Sequence, residues 1–239
     1  GLKICIGKHA IYGDEIQALR AVMEAGSFVS GAGQLSEHPI IPDYLAYIKT
    51  HFSHVDAKRL HVVIDCGNGV ASLVAKQALE LLGCRVTGIY CDLDGRFPNH
   101  HPDPTVLENL NDLIHAVKQH KADVGIGYDG DADRIGTIDE QGNVLWGDRL
   151  MVIYSRDILA AKPGSTIISE VKSSQSLYDD IAKRGGRPIM WKTGHSLIKA
   201  KMKSEQAVLA GEMSGHMFFA DRYFGYDDAI YASCRLVEI

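Results

Sequence analysis

Apolar positions along the chain recur with two periods, and the two alternate. In D-E-I-Q-A-L-R-A-V-M-E-A-G, Ile16, Leu19 and Met23 share one face at helical spacing, and Gly26 stops the run. The Gly- and Ser-rich G-S-F-V-S-G-A-G-Q-L-S-E-H-P that follows predicts a linker. A fuller rhythm begins near Pro42, which suits a first helical turn. L-H-V-V-I-D predicts a buried strand ending at Asp65, C-G-N-G a tight turn, and V-A-S-L-V-A-K-Q-A-L-E-L-L-G a helix with Leu73, Val74, Leu81 and Leu82 inward. R-V-T-G-I-Y-C predicts the next strand. Asp103 and Pro104 predict the cap and first turn of a helix running to about Gln119. A-D-V-G-I-G-Y and R-I-G-T-I-D predict two strands separated by a run of aspartates.

The rhythm repeats from about Asp148. A helix, the breaker Pro163-Gly164, the strand T-I-I-S-E-V, a further helix and the strand R-P-I-M-W-K follow in turn. Thr193-Gly194-His195-Ser196 opens a short helix, and V-L-A-G-E-M-S-G-H-M-F-F-A predicts two strands joined at a tight bend. Strands alternating with helices predict an α/β protein, with units at 37–147 and 148–239. Residues 1–36, one helix and one short strand, predict the tail of a further domain. The uncapped L-V-E-I at the other end predicts a chain cut inside a helix.

Composition narrows the possibilities only a little. With 239 residues, 46% of them hydrophobic, the chain is long enough for one large or two modest domains. No apolar run approaches the ~18 residues of a membrane helix, and Lys3 and Lys8 interrupt the N-terminal apolar stretch, so neither a span nor a signal peptide is expected. A net charge of −5 without a basic stripe argues against nucleic acid. Five scattered cysteines with no C-x-x-C pair suit reduced thiols and a cytoplasmic setting.

The chemistry concentrates in G-Y-D-G-D-A-D-R-I-G, where Asp129, Asp131 and Asp133 alternate and Arg134 follows. Three like charges at one turn repel unless a cation cancels them, and a hard divalent ion takes such oxygen clusters. A solvated Asp/Gly turn is the plainer alternative. An EF-hand loop fits Glu140 at its twelfth position but puts Arg134 where glycine is needed, between strand-like flanks. A phosphatase with an aspartate nucleophile fits the strand lead-in, yet leaves the third aspartate and Arg134 without a task. A magnesium site facing a phosphorylated partner uses all four, the guanidinium gripping a phosphate oxygen.

These residues resemble the α-D-phosphohexomutases, and among them the bacterial phosphomannomutase/phosphoglucomutase group. D-G-D-A-D-R is similar to the magnesium loop of that family, and G-E-M-S-G-H, Gly211 to His216, to its sugar-recognition loop. I-D-C-G-N-G, F-P-N-H-H-P-D-P and W-K-T-G-H-S-L-I-K also look like family segments. The resemblance covers essentially the whole chain. It implies two consecutive three-layer α/β/α units with mixed sheets, plus a partial N-terminal remnant of the domain that carries a phosphoserine. That serine motif and the C-terminal phosphate-binding loop have no counterpart in this sequence, so an isolated fragment without mutase turnover is expected.

The implied reaction is an isomerisation. Phosphoserine donates to a mannose or glucose phosphate, and the 1,6-bisphosphate turns over and returns its other phosphoryl group. Asp129, Asp131 and Asp133 would hold Mg²⁺, and Arg134 would touch the moving group. Glu212 and Ser214 would read two sugar hydroxyls. His195 would act as an acid/base or bind anionic substrate, and Lys172 and His216 would also bind substrate. Lys3 would sit near the transferred phosphoryl. Ala132 stands where the family loop more often has glycine, and a φ that alanine tolerates is expected there. A non-catalytic metal or sugar-phosphate binding module is the alternative from a different class.

Overall fold

The computed structural model describes residues 4–7 and 9–239 and divides into two compact units, Gly1–Pro39 and Ile40–Ile239. In the first, β1 (Cys5–Ile6) and β2 (His9–Ala10) pair antiparallel, and α1 (Asp14–Ala25) follows. The first unit therefore holds a hairpin of two short strands where one was expected. Gly26 ends α1 in the left-handed conformation at φ 62, as its position predicts, and Ile16, Leu19 and Met23 are exposed. Residues 27–39 carry no regular element.

The second unit holds two mixed sheets. Its elements in chain order are α2 (Ile40–His51), β3 (His61–Asp65), α3 (Ala75–Leu81), β4 (Arg85–Ile89), α4 (Asn111–His120), β5 (Val124–Tyr128), β6 (Ile135–Asp139) and β7 (Val144–Leu145). α5 (Gly147–Ala161), β8 (Thr166–Glu170), α6 (Gln175–Lys183), β9 (Arg187–Trp191), α7 (His195–Glu205), β10 (Leu209–Gly211), β11 (Met217–Phe219) and α8 (Ala229–Glu238) complete it. One sheet runs β4-β3-β5-β6-β7, parallel across β4-β3-β5 and antiparallel thereafter. The other runs β11-β10-β8-β9, with only the β10–β11 pair antiparallel.

Strand alternation explains the layering. Val62 and Ile64 of β3 face one core and Val63 faces another, where it meets Leu113 and Val117 of α4. Ile167 of β8 and Leu209 of β10 enter the first of these cores, whereas Ile168 and Ala210 pack on Ile198 and Met202 of α7. Each sheet thus carries helices on both faces, and its central strands are apolar on both sides. One core cluster joins β3 and β5 of one sheet to β8 and β10 of the other through α5 and α8.

Two helical expectations are corrected. The helix expected from Val70 to Gly83 is a 3₁₀ turn, Val70–Leu73, then α3, with Val74 at φ −146 between them. That break rotates the face, so Ala71, Ala75, Ala78, Leu79 and Leu82 point inward, while Leu73 and Leu81 are 44% and 41% exposed. Asp103 caps no helix either. Its Oδ1 accepts the Thr105 N–H and hydroxyl at 3.0 and 2.7 Å in an Asx turn, and helical structure begins only at Leu107.

Candidate active site

The aspartate loop connects β5 to β6, antiparallel strands that place its two ends side by side. Asp129 organises it. Oδ1 accepts the backbone N–H of Asp133 and Arg134 at 3.0 and 3.1 Å, and Oδ2 accepts Arg134 Nε at 2.7 Å. Arg134 Nη1 also reaches Asp103 Oδ1 at 3.1 Å, which fixes the guanidinium between two carboxylates. Asp129 and Asp133 are buried and Asp131 is exposed. One oxygen from each of the three lies within 4.8 Å of the others.

Burial pushes the Asp129 carboxyl up to about 6. The Arg134 hydrogen bond opposes that rise and the Asp133 charge adds to it. Converging hard oxygens that pay for their own repulsion fit a small divalent cation of the magnesium class. Ala132 corrects the sequence expectation, because its φ is 60, squarely left-handed. Its N–H donates to Asp129 O at 3.2 Å and its carbonyl accepts Ala229 N–H at 3.1 Å, so the surroundings hold alanine there at about 1 kcal/mol of strain.

On the other sheet, β10 turns into β11 through residues 212–216, with Glu212 N–H donating to His216 O and Gly215 N–H to Glu212 O. This turn abuts the aspartate loop directly. Ile135 N–H donates to Gly215 O at 3.1 Å, and Arg134 and His216 form an antiparallel bridge. Gly215 has φ 94, and a Cβ there would overlap the Ile135 carbonyl, so only glycine lets the two backbones meet.

Glu212, buried, accepts Gly194 N–H at 2.7 Å and the Ser214 hydroxyl at 3.3 Å. The carboxylate and hydroxyl therefore occupy one spot, beside the start of α7. His195 opens α7 with its ring 6.1 Å from that of His216. His216 Nδ1 lies 3.2 Å from Asp227 Oδ2 and 3.5 Å from Asp133 Oδ1, and Asp227 also meets Lys199 Nζ at 3.1 Å. Burial draws the His216 pKa down, but Asp227, Asp133 and Glu212 outweigh it, so the net direction is upward.

Lys172 Nζ lies 3.4 Å from Glu170 Oε1. Glu170 is fully buried at the end of β8, where it accepts Met213 N–H at 2.7 Å and the Thr193 hydroxyl. One carboxylate thereby ties Thr193, the 212–216 turn and Lys172 together. Lys3 lies outside the described residues.

The turn after β3 closes the opposite flank. Val70 N–H donates to Gly130 O at 3.1 Å, and a Cβ on Gly69 would come within 2.8 Å of that oxygen. His100 Nε2 sits 3.0 Å from Asp65 Oδ2, and that hydrogen bond holds the imidazole up at about 9 despite partial burial. Asn99 Nδ2 donates to Asn68 Oδ1 at 2.7 Å.

Sequence reasoning missed Glu170, Asp227 and the Asp103–Arg134 link. Glu170 carried a readable signal, a carboxylate closing a strand built around Ile167 and Ile168, two residues before Lys172. Asp227 sits in an ordinary Y-D-D run and carried none.

Known proteins match in the same places. Residues 42–142 fit the family description "Phosphoglucomutase/phosphomannomutase, alpha/beta/alpha domain II", and residues 146–239 fit domain III of that family. The phosphomannomutase/phosphoglucomutase of Pseudomonas aeruginosa is 48% identical over 239 residues, all of this chain and 51% of its own length. The phosphoglucomutase of Neisseria gonorrhoeae is 44% identical over all of this chain and 52% of its own. A solved phosphoglucomutase/phosphomannomutase family protein from Burkholderia thailandensis superposes with a TM-score of 0.92 at 42% identity. That match covers 97% of this chain and 50% of the other. The chain spans about half the length of the curated relatives it matches.

Proposed function

The chain belongs to the phosphoglucomutase/phosphomannomutase family, and on that premise we propose that it supplies the metal-binding and sugar-binding parts of a hexose-phosphate mutase. The supporting observation is the backbone union of the two loops. Ile135 N–H to Gly215 O, with the Arg134–His216 bridge, fixes the three carboxylates against the Glu212–Ser214 turn.

In this reading Asp129, Asp131 and Asp133 hold Mg²⁺, which when bound neutralises charge on a transferring phosphoryl group. Arg134, oriented by Asp129 and Asp103, presents its guanidinium to the same group. Glu212 and Ser214, already within hydrogen-bond distance of one another, accept and donate to neighbouring sugar hydroxyls. His195 and His216 flank that spot and move protons or bind anionic substrate, while Lys172 reaches phosphate from its seat on Glu170.

The substrates are mannose or glucose 1- and 6-phosphates passing through a 1,6-bisphosphate. We assign the phosphoserine, Lys3's neighbourhood and the remaining phosphate grip to parts of the enzyme beyond the described residues. The functional segments are 1–36, 37–147 and 148–239. No helix among the described residues is long and apolar enough to cross a membrane.

Titration with Mn²⁺, followed by electron paramagnetic resonance, tests the metal assignment. Wild type is expected to bind saturably and Asp131→Asn about tenfold or more weakly, its exposed side chain leaving the fold intact. Equal affinity removes the metal site. Glu212→Gln should in turn abolish the shift that mannose 6-phosphate produces in the ¹⁵N spectrum.

A further inference from the structure

Cys66 and Cys91 have no part in the reading above, yet their sulfurs lie 3.3 Å apart and share a hydrogen bond. Both are free thiols; Cys66 is buried and Cys91 is half-buried. Strand pairing brings them together. β3 and β4 run parallel with Asp65 opposite Ile89, and the ladder continues past both strands, Cys66 N–H donating to Ile89 O at 3.2 Å and Asn68 N–H to Tyr90 O at 2.8 Å. Tyr90 then turns the chain back at φ 52, an uncommon angle for a non-glycine residue, and aims Cys91 at Cys66. Gly88 leaves the room the sulfur occupies, since a Cβ there would lie 2.6 Å from Cys91 Sγ. Local strain and an absent side chain both serve this one sulfur–sulfur contact.

We propose that Cys66 and Cys91 form a reversible dithiol–disulfide pair, oxidised by a small peroxide, that acts on the aspartate loop. The sulfur of Cys91, the less buried of the two residues, attacks one peroxide oxygen. The O–O bond breaks, and Cys91 becomes a sulfenic acid while the other oxygen leaves as hydroxide and is protonated to water. Cys66 sulfur then displaces the sulfenic oxygen, the S–S bond forms, and the oxygen leaves as a second water carrying the Cys66 proton. Two thiols and one hydrogen peroxide thus give one disulfide and two waters, with peroxide reduced by the two electrons the sulfurs lose. The Cys66 hydrogen bond holds the Cys91 thiol below its usual range, which favours Cys91 as the attacking sulfur.

The pair connects to the metal-type loop through five residues. Gly69 N–H donates to Cys66 O at 2.7 Å, and the next N–H, of Val70, donates to Gly130 O between Asp129 and Asp131. Closing the sulfurs to the roughly 2.05 Å of a disulfide draws the Cys66–Gly69 turn towards Cys91 and pulls on that bond.

The purified protein is treated with hydrogen peroxide, then alkylated and mapped without reductant. The expected product is a Cys66–Cys91 linked peptide that dithiothreitol reverses. Cys91 recovered as sulfinic acid, or both thiols alkylated as in untreated protein, overturns the proposal. The second arm rests on the metal reading. Peroxide-treated wild type should bind Mn²⁺ about threefold or more weakly than reduced protein, and Cys91→Ser should show no peroxide response. A linked protein with unchanged Mn²⁺ affinity overturns the coupling. Reduced protein that never binds Mn²⁺ overturns the metal reading and leaves the disulfide result standing.

Discussion

Replacing Gly215 with alanine tests the junction on which the site depends. The added Cβ meets two separate penalties. Left-handed backbone at φ 94 costs an L-residue about 1–2 kcal/mol. The Cβ also overlaps the Ile135 carbonyl, a backbone atom that cannot swing aside, so the loops must part and the Ile135 N–H to Gly215 O bond is lost, about 1 kcal/mol more. The sum is about 2–3 kcal/mol. Gly164 supplies the control, because its φ is 81 and nothing lies within 4 Å of a Cβ there. Gly164→Ala therefore carries the conformational penalty alone, about 1–2 kcal/mol. Urea unfolding followed by tryptophan fluorescence reads both, with one tryptophan ending β9 and the other just ahead of α5. Equal losses for the two variants would refute the reasoning, since the backbone overlap would then contribute nothing.

Three further outcomes are expected. Ala132→Gly should raise stability by about 0.5–1 kcal/mol by relieving the left-handed strain, measured as a higher urea midpoint at unchanged slope. His100 should titrate near pH 9 in a ¹H–¹⁵N imidazole experiment, and Asp65→Asn should return it towards 6.5. Because this pKa is raised on folding, the stability it contributes is complete below about pH 6.5 and is lost as pH rises through about 9. Arg134→Lys should cost about 1–3 kcal/mol, because lysine cannot span Asp129 and Asp103 with a planar fork, and the urea midpoint should fall accordingly.

Periodic elements were legible in the sequence because burial writes itself as pattern. β3 and β5, buried on both faces or nearly so, read as mainly apolar runs. The break at Val74 was not legible, since V-A-S-L-V-A-K keeps helical spacing on either side of a single displaced φ. Asp103 was misread because a carboxylate before proline suits a cap as well as it suits an arginine partner arriving from 31 residues away. The aspartate triplet announced itself by charge crowding alone. What charge could not convey was Ala132's φ, which accompanies a hydrogen bond to Asp129 within the loop and one from Ala229 outside it. Glu170 and Asp227 act by collecting donors from distant segments, and such convergence exists only after folding.

The apolar cluster running from β3 through α8 and α5 to β10 bears on how this chain can be divided. Family boundaries at 142 and 146 invite a cut between the two sheets. Such a cut would strip α5 and α8 from Ile64 and take Phe52 from Tyr231, and each half would present a wide greasy face to water. The halves should aggregate when expressed apart and recover when co-expressed. Recombining domains from different relatives should succeed only when both sides of that interior are exchanged as a block.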